Sequence, residues 1–311
     1  MPNPFYHRDI ISIKDFTKEE LLYLFEITDK LQELEPYKLR KMAEGKILGC
    51  LFFEPSTRTR ISFEVAMNML GGYSVGFSEP KGTSLEKGEN LADTLKVMDG
   101  YCDLILLRHP KDGSARFAAE IAEKPVINGG SGSEEHPTQA MLDIYTIRKF
   151  KGEIEKLTLG IVGDLKYGRT AYSLLYGLAL FKPKIYLISP NELRVRREVF
   201  YDLSNKLSLS EFNSLEEVIG ELDVIYVTRI QKERFPDPQE YEKVKGSYII
   251  DNKILSKSKE ELIILHPLPR VDEIKVEVDG SPKAKYFTQS MLGKYIRAAL
   301  IASLLKRDLK F

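Results

Sequence analysis

Short apolar runs alternate with segments of helical periodicity along most of the chain. The apolar runs are rich in Ile, Leu and Val, and loops rich in Gly, Ser and Pro separate them. This alternation is typical of parallel sheets covered by helices on both faces. The predicted strands are residues 46–53, 103–107, 125–127, 158–163, 184–188, 223–227, 248–250 and 261–265.

Two helical patterns near the chain ends are the clearest. Thr17 and Glu20 predict a capping box at the start of the first helix. Residues 291–305 are apolar on most sides, so this last helix must be buried, and we expect it to pack back on the first domain. The apolar face of the first helix consists of Leu21, Leu24, Phe25, Thr28 and Leu31.

Chain length indicates more than one domain. At 311 residues the chain exceeds the usual size of a single hydrophobic core. The polar stretch 151–156 precedes a new strand, which suggests that a second α/β unit starts near it after a connecting helix. The sequence therefore predicts an α/β fold of two similar-sized domains, each a parallel sheet flanked by helices. We expect residues 1–136 with 291–311 to form the first domain and residues 137–290 the second.

Composition excludes several classes of protein. With 46 basic and 46 acidic residues the chain has no net charge, and so no overall positive potential that would attract nucleic acid. This argues against a nucleic-acid-binding module. Cys50 and Cys102 lie in apolar runs without metal-ligand spacing, so we expect buried free thiols in a reducing cytoplasm. No signal peptide and no stretch apolar enough to span a bilayer is evident, so a cytoplasmic protein without membrane partners is expected.

The segment 54–60, Glu-Pro-Ser-Thr-Arg-Thr-Arg, lies between a predicted strand and the helix-like run 61–70. The first backbone N–H groups of a helix lack partners and attract anions, and hydroxyl and guanidinium donors match phosphate oxygens. The alternative is an ordinary helix start with Ser56 or Thr57 as N-cap and the arginines in water. Five such groups together favour an anion site.

Basic side chains follow six of the predicted strands. Ligands of open α/β sheets bind beyond the carboxyl ends of the strands, so this placement predicts one crevice lined by cations from both domains. Such a crevice implies a strongly anionic ligand. The residues are Arg58 and Arg60, Arg108 and His109, His136, Lys166 and Arg169, Arg229 and Arg234, and His266 and Arg270.

His136 precedes a proline that can start a helix. Pro137 in the first turn would place His136 and Gln139 on neighbouring sides, facing a ligand, although an isolated His-Pro is usually only a turn. The sequence contains no Gly-x-Ser-x-Gly elbow, no His-Glu-x-x-His motif and no Walker motif. We therefore expect neither a catalytic metal nor a cofactor, and chemistry that depends on positioning and electrostatics.

Five motifs resemble, in order, those of the catalytic chains of aspartate carbamoyltransferases, a branch of the transcarbamoylase family, over nearly the whole length. The Ser-Thr-Arg-Thr block marks the whole family, whereas the segment 228–234 and Pro267 favour the aspartate branch. The ornithine branch typically has a cysteine where this chain has Pro267, and it remains the alternative, as does a non-catalytic scaffold. The motifs are residues 53–60, 107–110, 136–139, 162–169 and 266–270.

The resemblance implies transfer of the carbamoyl group of carbamoyl phosphate to L-aspartate, in a homotrimer with shared active sites, and it allows a separate regulatory chain. It implies that Ser56, Thr57, Arg58, Thr59, Arg108, His136 and Gln139 bind carbamoyl phosphate, with Ser84 and Lys87 of a neighbouring subunit. Aspartate would contact Lys87, Arg169, Arg229, Gln231 and the backbone of Pro267 and Leu268. The catalytic set would be Arg58, Thr59, Arg108, His136 and Lys87, and domain closure would involve Glu54, Arg169 and Arg234.

Two segments leave alternatives open. From its composition alone, the loop 78–90, which carries Ser84 and Lys87, is predicted to be an ordinary solvent-exposed loop. Before the His-Pro-Thr-Gln motif the family often has Asn-Ala-Gly-Asp-Gly, but this chain has Asn-Gly-Gly-Ser-Gly followed by Ser133, Glu134 and Glu135. Two acids beside an anion site would weaken phosphate binding unless they point outward, and we expect them to point outward.

Overall fold

The structure is a computed structural model that describes residues 2–230, 237–309 and 311. The chain divides into two compact units. The first unit comprises Met1–Leu142 with Met291–Phe311, and the second comprises Asp143–Ser290. Within the described residues, no helix has the length and apolarity needed to cross a membrane.

The first unit contains a four-stranded sheet in the order β2-β1-β3-β4, with every pairing parallel. Its strands are β1 (Ile47–Phe52), β2 (Tyr73–Phe77), β3 (Leu104–His109) and β4 (Val126–Ser131). Its helices are α1 (Lys18–Glu33), α2 (Pro36–Leu39), α3 (Thr57–Met69), α4 (Leu91–Tyr101) and α5 (Ser114–Ile121). Helix α6 (Pro137–Lys151) begins in this unit and ends in the second.

The second unit contains a five-stranded sheet in the order β7-β6-β5-β8-β9, again with parallel pairings. The strands are β5 (Thr158–Val162), β6 (Lys184–Ile188), β7 (Ser208–Phe212), β8 (Val224–Val227) and β9 (Ile263–Leu265). The helices are α7 (Arg169–Leu178), α8 (Arg197–Ser204), α9 (Pro238–Val244) and α10 (Asn252–Leu255). The α/β fold with two parallel sheets is thus confirmed.

The prediction of a strand at 248–250 is wrong. Ile250 forms only an isolated bridge with Ile274, because its N–H donates to Glu273 O and its carbonyl accepts from Lys275 N. A loop therefore takes up the hydrogen bonds that a sheet neighbour would have used. One edge strand of each sheet, β2 in the first and β7 in the second, was not predicted.

The capping box of α1 is confirmed. Thr17 Oγ1 accepts from Glu20 N at 3.2 Å, and Thr17 N donates to Glu20 Oε2 at 2.8 Å. The predicted apolar face of α1 is buried.

The last helix, α11 (Tyr286–Leu305), begins five residues earlier than its apolar pattern indicated. From Met291 onward it belongs to the first unit, as predicted. Arg297 Nη1 donates to Ser62 Oγ at 2.7 Å, and its guanidinium lies over the ring of Phe63 at 5.2 Å. Nearer the end of the helix, Asn3 Nδ2 donates to Ser303 O at 2.6 Å.

Candidate active site

The helix that follows β1 starts inside the Ser-Thr-Arg-Thr block. Helix α3 begins at Thr57 with Ser56 as N-cap, so the prediction that the helical run starts at residue 61 is wrong by four positions. Ser56 makes no side-chain capping hydrogen bond, whereas Thr57 and Arg58 are exposed in the first turn. Hydroxyl, guanidinium and helix N–H donors therefore share one helix terminus, which is the arrangement that suits a phosphate.

Thr59 and His136 meet although 77 positions separate them in the sequence. Thr59 Oγ1 lies 3.3 Å from His136 Nε2, and both residues are buried. The second ring nitrogen of His136, Nδ1, lies 3.5 Å from Thr138 Oγ1. Helix α6 starts at the next residue, Pro137, and Gln139 N donates to the His136 carbonyl at 3.0 Å. The start of α6 thus fixes His136 beside the first turn of α3.

Arg108 at the end of β3 links Glu54 to the glycine-rich turn. Its Nη2 lies 2.7 Å from Glu54 Oε1, and its Nη1 donates to Gly129 O at 3.1 Å. A Cβ added to Gly129 would lie 3.6 Å from Thr59 Cγ2. Arg108, the turn and Thr59 are therefore neighbours. Glu54 pairs with Arg108 in this structure, and its part in domain closure stays a prediction.

The turn before His136 is held by an asparagine that the sequence did not single out. Asn128 Oδ1 accepts from Gly130 N at 2.8 Å, and its Nδ2 donates to Ile11 O at 2.9 Å and Ser131 Oγ at 3.1 Å. Asn128 is buried. An Asn followed by two glycines is a turn signal, and it was the only cue to this role.

The two acids after this turn make contacts of their own. Glu134 Oε2 accepts from Gly113 N at 2.9 Å, and Glu135 Oε1 accepts from Ser12 Oγ at 2.8 Å. Glu134 is exposed. Both carboxylates hold the loop to other parts of the first unit, and the expectation that both point away from the phosphate stays a prediction.

Three basic groups near strand ends have structural partners. Arg60 Nε lies 2.7 Å from Glu64 Oε1 within α3, and Arg270 forms a two-point ion pair with Asp279. Burial and the charge of Lys111 lower the pKa of His109, although Glu54 acts in the opposite direction. The His109 ring packs on Phe53 at 4.8 Å. None of the three belongs to the ligand set that the resemblance implies, but Arg108 also pairs with Glu54, so a partner within the protein does not by itself exclude a group from the crevice.

Ser84 and Lys87 lie on a short 3-10 helix, Ser84–Lys87, that caps itself. Thr83 Oγ1 accepts from Leu85 N at 3.3 Å, and Gly82 N donates to Glu86 Oε2 at 3.0 Å. Ser84 and Lys87 are exposed in the single chain. The predicted loop is thus a compact structure whose two named side chains are accessible to a neighbour.

In the second unit, Arg169 is the first residue of α7 and is 6% exposed. The preceding turn is built on Asp164, whose Oδ1 accepts from Lys166 N at 3.1 Å and Tyr167 N at 2.9 Å. At Gly163 φ is 114°, and a Cβ there would lie 2.2 Å from Thr228 O. The ends of β5 and β8 can approach this closely only with glycine, which brings the turn before Arg169 beside the segment that carries Arg229.

The loop after β9 is held by the side chain of His266. Leu268 N donates to His266 Nδ1 at 2.7 Å, and His266 Nε2 lies 2.7 Å from Glu273 Oε1. Because Nδ1 accepts, Nε2 carries the proton and donates to the carboxylate. Burial acts to raise the pKa of Glu273, but this hydrogen bond and those from backbone N–H groups outweigh burial and lower the pKa. Pro267 and Leu268 thus lie in a loop whose conformation is fixed by hydrogen bonds.

Two predicted site residues, Gln231 and Arg234, lie outside the described residues. Among the described residues, no group of three or more His, Cys, Asp or Glu side chains is arranged to hold a metal ion.

Comparisons with known proteins cover the whole length of the chain. The profile of the family "Aspartate/ornithine carbamoyltransferase, carbamoyl-P binding domain" matches residues 8–149, and that of "Aspartate/ornithine carbamoyltransferase, Asp/Orn binding domain" matches residues 155–304. The aspartate carbamoyltransferase catalytic subunit of Nitrosopumilus maritimus is 56% identical over 306 residues, which is 98% of this chain and 99% of that protein.

Solved structures give the same result. The catalytic subunit of M. jannaschii aspartate transcarbamoylase has a TM-score of 0.88 and 49% identity, covering 96% of this chain and 97% of that one. Aspartate transcarbamoylase from Trypanosoma cruzi in complex with carbamoyl phosphate and aspartate has a TM-score of 0.93 and 35% identity, covering 98% of each chain.

Proposed function

The chain belongs to the aspartate/ornithine carbamoyltransferase family, and we propose that it is the catalytic chain of an aspartate carbamoyltransferase. The reaction transfers the carbamoyl group of carbamoyl phosphate to the α-amine of L-aspartate, giving N-carbamoyl-L-aspartate and phosphate, a step of pyrimidine biosynthesis. One observation carries the proposal: Thr59 at the start of α3, Arg108 at the end of β3 and His136 before α6 meet in the first unit.

The first unit supplies the groups for carbamoyl phosphate. Ser56, Thr57 and Arg58 bind the phosphate at the N-terminus of α3, where helix N–H groups add to their donors. Thr59, Arg108 and His136 face the carbonyl oxygen, with Gln139 at the amide. When the amine attacks, negative charge develops on that oxygen, and donors already in place stabilise the transition state by about 3 to 4 kcal/mol each.

The second unit supplies the groups for aspartate. Arg169 and Arg229, with Gln231, bind the two carboxylates, and the backbone carbonyls of Pro267 and Leu268 accept hydrogen bonds from the reacting amines. Carbamoyl phosphate and aspartate together bring about four negative charges, and burying them unpaired would cost several kcal/mol each. Arg58, Arg108, Arg169, Arg229 and Lys87 offset these charges.

No separate general base is needed in this reaction. The attacking amine of aspartate is neutral, and the departing phosphate accepts its proton. His136 acts as a hydrogen-bond donor to the oxyanion. Glu54, Arg169 and Arg234 link the two units when they close on the substrates, which aligns the amine with the carbonyl carbon.

We also propose a homotrimer in which Ser84 and Lys87 complete the site of a neighbouring copy. Exposed apolar side chains on two elements of the first unit support an interface there: Ile61 and Val65 on α3, and Tyr73 and Val75 on β2. Ser84 and Lys87 are exposed in the same unit. The relatives' designation as catalytic subunits supports a separate regulatory chain as a further partner. The free thiols of Cys50 and Cys102 support a cytoplasmic location.

The substrate is tested by incubating the protein with carbamoyl phosphate and either L-aspartate or L-ornithine, and measuring phosphate and the carbamoylated product. We expect product with aspartate and none above background with ornithine. Turnover of ornithine alone would assign the chain to the other branch of the family. Absence of product from both would favour a non-catalytic scaffold.

A further inference from the structure

A buried carboxylate, Asp143, lies in the polar core of the second unit. Its Oδ2 accepts from Tyr226 OH at 2.8 Å, and its Oδ1 accepts from Gln289 Nε2 at 2.6 Å. Asp143 and Tyr226 are 0% exposed and Gln289 is 1% exposed. A buried carboxylate is strongly unfavourable unless it is well hydrogen-bonded, so this arrangement fixes both of its partners.

The hydrogen bonds continue from Gln289 to the backbone, and Thr170 of α7 lies beside Tyr226. Gln289 Oε1 accepts from His266 N at 2.9 Å, and His266 Nδ1 accepts from Leu268 N. Thr170 lies near enough to the Tyr226 phenol to act to lower its pKa, against the larger effects of burial and of Asp143. We call the set Thr170, Tyr226, Asp143, Gln289 and His266 the Asp143 network.

The Asp143 network reaches the three segments that carry the proposed aspartate ligands. Thr170 follows Arg169 in the first turn of α7. Tyr226 lies in β8, three residues before Arg229. His266 directly precedes Pro267 and Leu268. Segments that are far apart in the sequence therefore share one hydrogen-bonded core.

Only one orientation of the Gln289 amide satisfies the hydrogen bonds of the network. Gln289 must turn its NH₂ toward the carboxylate and its oxygen toward His266 N, because the reverse would place two oxygens together. Burial, followed by the charge of Asp143, raises the pKa of Tyr226, so the phenol stays protonated and donates. Apolar side chains could fill the same space, but they would not fix the orientation of their neighbours as these directional hydrogen bonds do.

We propose that the Asp143 network positions Arg169, Arg229 and the Pro267–Leu268 carbonyls relative to one another, so that aspartate meets a preformed site. This inference rests on the proposed function. None of Asp143, Tyr226 and Gln289 is in the proposed ligand set, so these three are positioning residues that act through the ligands.

The test removes one polar group at a time, in Tyr226→Phe and in Gln289→Met, with little change in volume. We expect the KM for aspartate to rise roughly tenfold or more, because a small displacement of binding groups weakens alignment. The affinity for carbamoyl phosphate alone, measured by titration calorimetry, should stay within about twofold. Kinetics are measured well below the unfolding temperature of each variant.

Tyr248→Phe is the matched control. Tyr248 is a buried tyrosine of the same unit whose OH donates to Asn213 O at 3.0 Å, outside the network. It loses a buried hydroxyl in the same way, and we expect its KM for aspartate to equal that of the wild type.

If Tyr226→Phe and Gln289→Met bind aspartate as well as Tyr248→Phe does, the network only stabilises the fold and the inference is wrong. Equal losses of affinity for both substrates would also overturn it. Should one variant fail to fold, the other decides alone. A wild-type protein that forms no carbamoyl aspartate contradicts the proposed function itself, whereas an active wild type with unaffected variants contradicts only the network.

Discussion

A single hydroxyl illustrates how tightly the first unit defines its site. Thr59 lies in the first turn of α3, and its Oγ1 contacts His136 Nε2 at 3.3 Å. In the sequence, Thr59, Arg108 and His136 belong to three separate motifs. Their meeting depends on parallel pairing of β1 with β3 and of β3 with β4, which brings the ends of these strands to one edge of the sheet.

Thr59→Val removes the hydroxyl and keeps the branched shape of the side chain. We expect kcat to fall roughly 100-fold, because one donor to the developing oxyanion is lost. The unfolding temperature should change little. Thr28→Val is the control, since Thr28 is also buried in the first unit but donates to Leu24 O within α1 at 2.7 Å. Equal activity of the two variants would remove Thr59 from the catalytic set.

The lowered pKa of Glu273 predicts a pH-dependent contribution to stability. A carboxyl group whose pKa is lower in the folded protein stabilises the fold above its unfolded pKa, near 4.5, and loses this effect as pH falls through the folded pKa. Glu273→Gln should therefore lower the free energy of unfolding at pH 7, and the difference from wild type should shrink below about pH 4.5. Urea unfolding at several pH values measures both. A difference that is constant with pH would contradict the assignment.

At the scale of elements, buried features were predicted best. The strands at the centre of each sheet are continuous apolar runs, and the capping box of α1 has its own sequence signature. The strands β2 and β7 were not predicted, because polar or small residues interrupt their apolar pattern. The other two edge strands, β4 and β9, contain an uninterrupted apolar run and were predicted. The start of α3 was placed too late, because its first turn consists of polar residues that show no apolar periodicity.

Gly76 tests how β2 joins the sheet. At Gly76 φ is 135°, and a Cβ there would lie 2.1 Å from Cys50 O on β1. Gly76→Ala should lower the free energy of unfolding by about 2 kcal/mol or more. Gly100→Ala is the matched control, because Gly100 lies in α4 with no atom within 4 Å of an added Cβ. That change should raise stability by about 0.5 to 1 kcal/mol, and equal effects of the two would refute the account of β2.

At the scale of the whole molecule, the chain has no net charge, so the affinity for anionic substrates must come from local groups. The sequence proposes basic groups at six strand ends, and Arg60, Arg270 and His109 are among them. Arg60 and Arg270 pair with carboxylates, and the pKa of His109 is lowered. Only the tertiary structure shows which basic groups have carboxylate partners within the protein, and Arg108 has one in Glu54. Asn128 gave only the turn signal of an Asn before two glycines, and Gln289 gave no signal beyond its residue type, because its partners His266 and Asp143 are distant in sequence.

Sharing of sites between copies predicts complementation. Lys87→Ala and Arg58→Ala should each be nearly inactive alone. When the two variants are unfolded and refolded together, about a quarter of the sites in randomly mixed trimers combine an intact Arg58 with an intact Lys87. Activity should return to about that fraction. No recovery in mixtures that light scattering shows to be trimers would contradict shared sites.

The central claim is that basic groups of both units act on one pair of substrates. The most direct measurement is the rate of N-carbamoyl-L-aspartate formation by Arg58→Ala in the first unit and Arg229→Ala in the second. The controls are Arg60→Ala and Arg197→Ala, whose arginines pair with Glu64 and Glu211. We predict that both site variants fall below about 1% of the wild-type rate while the controls keep it. A wild-type rate in either Arg58→Ala or Arg229→Ala would contradict the account.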